Sequence, residues 1–414
     1  MDIEQSQLDT IVATAEDLLS KRLGGSQQLK EISRLDGSGS AVVLRAKVAP
    51  SPFLQARSVV IKHVPNSGDL ADTSMFLREV VAYQFTTSLS PEVRPGPVML
   101  AYDVDAHMMV LSDSGDGDTF ADLLETAKEP VRMEILRNLG ESLGKMHAGT
   151  ATKEGHFDIL LHRMLQKHPE IQAMHRFREH LLSISIEVGM RLVEDAGIRV
   201  PEVVEAMALE SKRRLHRGQH RAFTPFDLSP DNIIVSENTH FLDYEWAGFR
   251  DVTFDLACVI SGFPQFLSSR PISDDEADAL VEAWVEEVGA LWPNVRNSER
   301  LQARILIALV GWAFSSLAMM HVGAMTSAFG TLFDVAEEQG IHALSIERVM
   351  EIVEENGVNI LQIAIDDEAA PRLVRQDLHE TFEAIQRFAR RNADYRFPVV
   401  ADFATQIVEK LRTS

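Results

Sequence analysis

Up to about residue 112 the chain is a series of short β-rich runs, Ala41 to Val48, Arg57 to Val64 and His107 to Leu111, separated by turn-forming residues. The change comes at Ser112-Asp113-Ser114-Gly115-Asp116-Gly117-Asp118, a dense run of turn formers, and beyond it the apolar residues fall mainly at helical spacing. A chain patterned this way is confined to an α+β architecture, with a small antiparallel sheet first and a mainly helical part after it. The boundary gives an amino-terminal lobe, residues 1–112, and a carboxy-terminal lobe, residues 113–414, which ends in a helical extension. One helix interrupts the first lobe: residues 70–88 place Phe76, Val80 and Tyr83 on one stripe with Glu79 beside it. In the second lobe Ile135, Leu136, Leu139, Leu143 and Met146 mark an amphipathic helix over 133–148, and Val374, Leu378, Phe382 and Ile385 another over 372–390. The one β interruption is a hairpin, with Asn232 to Val235 and Phe241 to Tyr244 flanking the polar turn Ser236-Glu237-Asn238-Thr239.

Charge narrows the partners. With 62 Asp plus Glu against 40 Lys plus Arg, the formal charge of -22 repels phosphate backbones and anionic headgroups, so neither nucleic acid nor a membrane surface is expected. The same field favours a cationic small molecule. A single cysteine, Cys258, cannot form an internal bridge, and Met1-Asp2-Ile3-Glu4 lacks the features of a signal peptide, so a cytoplasmic location is expected. Residues 305–333 carry no formally charged side chain and are long enough to span a bilayer. Ser315, Ser316 and His321, with Gly311, Gly323 and Gly330, favour a buried helix there instead. Nothing in the chain speaks to oligomeric state.

The chemistry concentrates in Thr224 to Ala257, TPFDLSPDNIIVSENTHFLDYEWAGFRDVTFDLA. Phosphoryl transfer asks little covalent help of a protein; it needs cations on the phosphate oxygens, a group orienting the acceptor hydroxyl, and exclusion of water. Carboxylates and amide oxygens are the ligands magnesium prefers. Asp227-Leu228-Ser229-Pro230-Asp231-Asn232 matches the D-L-x-x-x-N part of a kinase catalytic loop, and Asp243 is reached after one strand and a turn. Taken singly, Asp227 and Asn232 are ordinary turn residues and Asp255 an ordinary helix cap. Their order around a hairpin makes them informative.

The string resembles the signature of the aminoglycoside phosphotransferase and choline kinase-like superfamily. That resemblance implies a two-lobed protein kinase-like fold and a kinase that uses ATP and Mg2+ on a hydroxyl of a small molecule, with choline-like, aminoglycoside and amino-sugar acceptors as candidates. It makes Asp227 the catalytic base and Asn232 and Asp243 the magnesium ligands, and it has Asp255 brace the catalytic loop. Val59-Val60-Ile61-Lys62 resembles the strand whose lysine holds the α and β phosphates, with Glu79 as the acid that pairs with it. Gly37 and Gly39, in Gly37-Ser38-Gly39-Ser40, lie where a turn would cover the phosphates, and Met109 to Asp113, with Ser112, where adenine would lie. His147 matches a family helix ending in histidine and reads as a packing residue.

The chain also departs from the family. Pro225-Phe226-Asp227 stands where His-Gly-Asp is usual, and Val42 where a third glycine is usual. Only eleven residues, Tyr244 to Phe254, separate Asp243 from Asp255, which leaves little room for a regulated activation loop and favours a small-molecule kinase. The missing histidine motivates an alternative: a catalytically silent nucleotide-binding module.

Overall fold

In the computed structural model, which describes residues 5–35, 41–65, 67–236, 238–266, 270–321, 325–363, 369–392 and 394–413, the chain divides into two compact units. The first unit comprises residues 1–118, 155–171 and 234–247 and the second comprises 119–154, 172–233 and 248–414.

The first unit is built on strands that alternate as a half-buried sheet must. Its elements are α1 (Gln5–Leu23), β1 (Leu29–Leu35), β2 (Val42–Val48), β3 (Ser58–His63), α2 (Leu70–Thr87), β4 (Met99–Asp103) and β5 (Met108–Ser112). The five strands form one sheet in the order β1-β2-β3-β5-β4, with antiparallel neighbours throughout. Leu44 and Ala46 of β2, Val59 and Ile61 of β3 and Val110 of β5 are buried on a face covered by Ile11, Ala15 and Leu19 of α1. Helix α1 lies outside the sequence expectation, which placed one helix in this part; Leu8, Ile11, Ala15 and Leu19 carry its three-and-four spacing. Asp69 caps α2 by accepting from the Ala71 amide, and Phe76, Val80 and Tyr83 are all buried. After the two-residue β6 (Asp118–Thr119), this unit also receives α5 (Glu154–Lys167, from Gly155 on) and the hairpin β8 (Ile233–Val235, from Ile234 on) and β9 (Thr239–Phe241).

The second unit is mainly helical: α3 (Phe120–Thr126), α4 (Val131–Thr150), α6 (Gln172–Asp195), α7 (Glu202–Arg217), α8 (Thr253–Ile260), α9 (Asp274–Val288), α10 (Ser298–His321), α11 (Met325–Gln339), α12 (Ile346–Asn356), α13 (Ala369–Arg390) and α14 (Phe397–Thr413). In this unit β7 (Arg221–Thr224) pairs with β10 (Gly248–Asp251), antiparallel. Among the helix crossings close enough to require glycine, a methyl on Gly140 of α4 would overlap the Leu280 carbonyl of α9, and one on Gly189 of α6 the Phe314 carbonyl of α10.

The uncharged stretch as far as His321 lies in α10, a largely buried helix. Ser298–Met320 is long and apolar enough to cross a membrane, yet 72% of its most apolar window is buried inside the structure. It packs against α6, α7, α8 and α13, and its Trp312 Nε1 donates to Phe254 O at 2.8 Å. The expected single stretch is divided, because α10 ends at His321 and α11 begins at Met325; Gly323 lies outside the described residues. The fold is α+β, an antiparallel-sheet unit and a mainly helical unit.

Candidate active site

In the first unit, Lys62 stands on β3 opposite Val43 and Met109, in the middle of the sheet. Its Nζ donates to Glu79 Oε1 at 2.8 Å and Oε2 at 2.9 Å, and to Asp243 Oδ1 at 2.9 Å. An ammonium has three N–H groups, so these contacts use the full set. Burial opposes the charge on Lys62, but the two carboxylates outweigh it and hold the ammonium above its ordinary value. Glu79 is 2% exposed, and burial pushes its carboxyl up to about 7 against the pull of Lys62. The Asp243 side chain is 35% exposed, so the pair is buried at its Glu79 end and open at its Asp243 end.

Helix α2 fixes the segment that carries Asp243. Arg78 Nε donates to Ala247 O at 2.7 Å, and the Tyr83 ring lies 4.7 Å from that of Tyr244. The second hairpin strand is shorter than the run Phe241 to Tyr244 suggested: β9 stops at Phe241, whose N–H donates to Pro95 O at 2.8 Å. Asp243 follows with φ of 57°, a left-handed backbone that aspartate tolerates better than most residues and that cannot continue a strand. Glu237, in the expected turn, lies outside the described residues.

The second unit holds Asp227 and Asn232. The loop leaves β7 at Thr224, passes the buried Pro225 and Phe226, and ends in a 3-10 turn over Pro230–Asn232. Asp227 Oδ1 accepts from the Ser229 amide at 3.1 Å, Ser229 hydrogen-bonds Asp231, and Asn232 N donates to Ser229 O at 2.8 Å. Asp227 and Asn232 are both half-buried. Phe226 has φ of 68°; for a side chain of this size that costs about 1–3 kcal/mol, which packing must offset. Its ring is stacked on Trp312 at 5.0 Å and 26°, and the Arg250 guanidinium carbon lies 4.5 Å from its centroid.

Asp255 is fully buried in the first turn of α8, and its Oδ2 lies 3.1 Å from His147 Nε2. His147 Nδ1 accepts from Trp284 Nε1 at 2.9 Å, which leaves the ring proton on Nε2 for Asp255. Burial raises the Asp255 carboxyl, and His147 lowers it. Asp255 is no cap: the Thr253 amide and hydroxyl are bonded by Asp251 Oδ1 instead. His147 is a packing residue, as its position suggested, but its partners lie far along the chain.

Of the remaining expected residues, Ser112 ends β5 with its N–H and hydroxyl both bonded to Val98, each at 2.8 Å. Gly37 and Gly39 lie outside the described residues. Among the described residues no three His, Cys, Asp or Glu side chains cluster as a metal site. Magnesium does not require such a cluster, since one or two carboxylates with substrate phosphates and water usually hold it. Asp243, with one oxygen on Lys62 and a third of its side chain exposed, has the donor chemistry for that role. Arg250, Trp312 and Trp284 had no signal in the sequence, because each acts through a contact distant along the chain.

A profile of the phosphotransferase enzyme family matches residues 60–296, more than half of the chain. The chain belongs to this family. The matched range takes in Lys62, Glu79, Asp227, Asn232, Asp243 and Asp255 of this phosphotransferase, and stops before α10. No curated protein matches the chain. Among solved structures, the phosphotransferase is similar to a choline/ethanolamine kinase family protein from Mesorhizobium loti, at 14% identity and a TM-score of 0.40, covering 83% of this chain and 99% of that one. It is also similar to a choline kinase from Cryptosporidium parvum Iowa II, at 10% identity and a TM-score of 0.44, covering 85% and 98%. A third is the ADP-bound aminoglycoside phosphotransferase APH(2'')-Ib, at 10% identity and a TM-score of 0.40, covering 83% and 97%.

Proposed function

We propose that this phosphotransferase is a small-molecule kinase that transfers the terminal phosphate of ATP to an acceptor hydroxyl. The observation that carries the proposal is the Lys62 ammonium held by Glu79 and Asp243 within a family whose profile spans all three residues. Glu79 keeps Lys62 charged and aimed, and Lys62 holds the α and β phosphates. Because its three N–H groups are already engaged, a phosphate oxygen takes the place of Asp243 Oδ1 on Lys62, and Asp243 is released for the metal. Asn232 and Asp243 would hold magnesium, which when bound supplies positive charge to the phosphate oxygens. Asp227 accepts the proton of the acceptor hydroxyl as the new oxygen–phosphorus bond forms and ADP leaves. Adenine lies against Met109 to Asp113. The acceptor is cationic, an amino alcohol, aminoglycoside or amino sugar, in keeping with the formal charge of -22.

The test is release of ADP from magnesium-ATP by the purified protein across choline, ethanolamine, aminoglycosides and sugars. Turnover with a member of this panel supports the kinase. A second reading, a silent nucleotide-binding module, is favoured by Pro225-Phe226 in place of His-Gly. Calorimetric binding of magnesium-ATP without turnover on any acceptor would establish that reading, and absence of binding would end both.

A further inference from the structure

The loop before Asp227 departs from its family at Pro225-Phe226, and the second unit is built around that departure. Phe226 is buried in a left-handed backbone, the conformation that a glycine at this position would adopt freely. Its ring does not rest in a loose apolar hollow. Trp312 is stacked on it, Arg250 presents its guanidinium to it, and Phe254 makes a tilted contact with centroids 6.0 Å apart. These partners are themselves fixed. Trp312 Nε1 donates to the Phe254 carbonyl, tying α10 to α8 beside the ring. Arg250 is buried on β10 opposite Ala222 of β7, the strand that feeds the loop, and its other neighbours include Glu179 at 3.5 Å.

Two constraints therefore meet on consecutive residues. Phe226 is held by its ring contacts, and the adjacent Asp227 carboxylate accepts from the Ser229 amide. We propose that Phe226, gripped by Arg250 and Trp312, is the positioning residue that fixes the Asp227 carboxylate, in place of the histidine-glycine pair usual in this loop. The inference rests on reading Asp227 as the base. Phe226 acts through Asp227 and not on the acceptor.

Three single variants and one double variant test it. Phe226→Leu keeps apolar bulk without a flat ring, Arg250→Met keeps a long buried chain without a cation, and Phe226→Tyr keeps the ring. Amide hydrogen exchange of full-length protein at Leu228, Ser229, Asp231 and Asn232 should accelerate about tenfold in the first two, while α4 and α9 exchange as in wild type. With magnesium-ATP and an acceptor that wild type uses, kcat should fall about 30-fold and KM for ATP should stay within about twofold. Phe226→Tyr should behave as wild type in both measurements, and Phe226→Leu/Arg250→Met should be no worse than Phe226→Leu alone. Unchanged loop exchange in Phe226→Leu, or acceleration spread equally through α4 and α9, would overturn the proposal by reducing Phe226 to ordinary core packing. Full kcat in Phe226→Leu would overturn it as well. If wild type turns over no acceptor, the base assignment falls separately, and the exchange result still decides whether Phe226 positions the loop.

Discussion

Replacing Lys62 with methionine removes a cation of similar length from between two acids. Asp243, a third exposed, can turn to water, so the damage falls on Glu79, which is 2% exposed and keeps no cationic partner at its carboxylate. Breaking a buried pair from one side costs about 3–5 kcal/mol, and the open Asp243 end places this case near the lower limit, about 3 kcal/mol when Glu79 is ionised. The cost depends on pH. Burial already pushes Glu79 up to about 7 with Lys62 present, and without Lys62 it rises further. A carboxyl whose folded value lies above its unfolded one contributes stability at low pH and loses it as pH rises toward the folded value. Below about 7 both proteins hold the proton, and the variant loses only packing and the Asp243 contact, about 1 kcal/mol. Above it the deficit grows by about 1.4 kcal/mol per pH unit until the variant's own carboxyl ionises. Hydrogen exchange of the Val60 and Ile61 amides, converted to opening free energy at pH 6 and pH 8.5, reads the unit that contains the pair. The expected loss in Lys62→Met is about 1 kcal/mol at pH 6 and about 3 kcal/mol at pH 8.5, and adding Glu79→Gln should recover most of the second value. A loss equal at both pH values, or one that Glu79→Gln fails to relieve, would refute the account of this pair.

Other outcomes follow from the second unit. Asp377 on α13 is 4% exposed, accepts the Gln265 amide with both oxygens at 3.1 Å, and is pushed by burial from 3.8 up to about 7. Its contribution to stability is therefore present at pH 4 and lost by pH 8, an elevation worth about 4 kcal/mol, so Asp377→Asn should stabilise the protein in denaturant titrations at pH 8 and not at pH 4. Gly189→Ala forces a methyl against the Phe314 carbonyl where α6 crosses α10, and should lower stability by about 2–3 kcal/mol in thermal unfolding. Wild-type stability in that variant would mean that the two helices can separate freely.

Much of the first unit is legible in its amino acids, because alternation in a strand and three-and-four spacing in a helix are local properties. Strands β2 and β3 and helix α2 begin and end within a residue or two of the runs that announce them. Lys62 and Glu79 meet because a strand and the following helix share one core, a consequence that order alone suggests. The hairpin is less legible. Leu242 and Tyr244 continue the apolar run past Phe241, yet the left-handed Asp243 ends the strand, and the Lys62 and α2 contacts that hold this segment come from far away in the chain. The surroundings of Phe226 and His147 were closed to sequence reading altogether. Trp312 and Trp284 follow them by 86 and 137 residues and lie on helices whose own patterns announce only burial.

The central claim concerns Asp227, and one measurement addresses it most directly. Single-turnover formation of ADP by Asp227→Asn, beside calorimetric binding of magnesium-ATP, separates chemistry from nucleotide affinity. The account predicts a rate lower by a factor of about a thousand or more with nucleotide affinity near that of wild type. A variant that turns over at the wild-type rate would contradict the account.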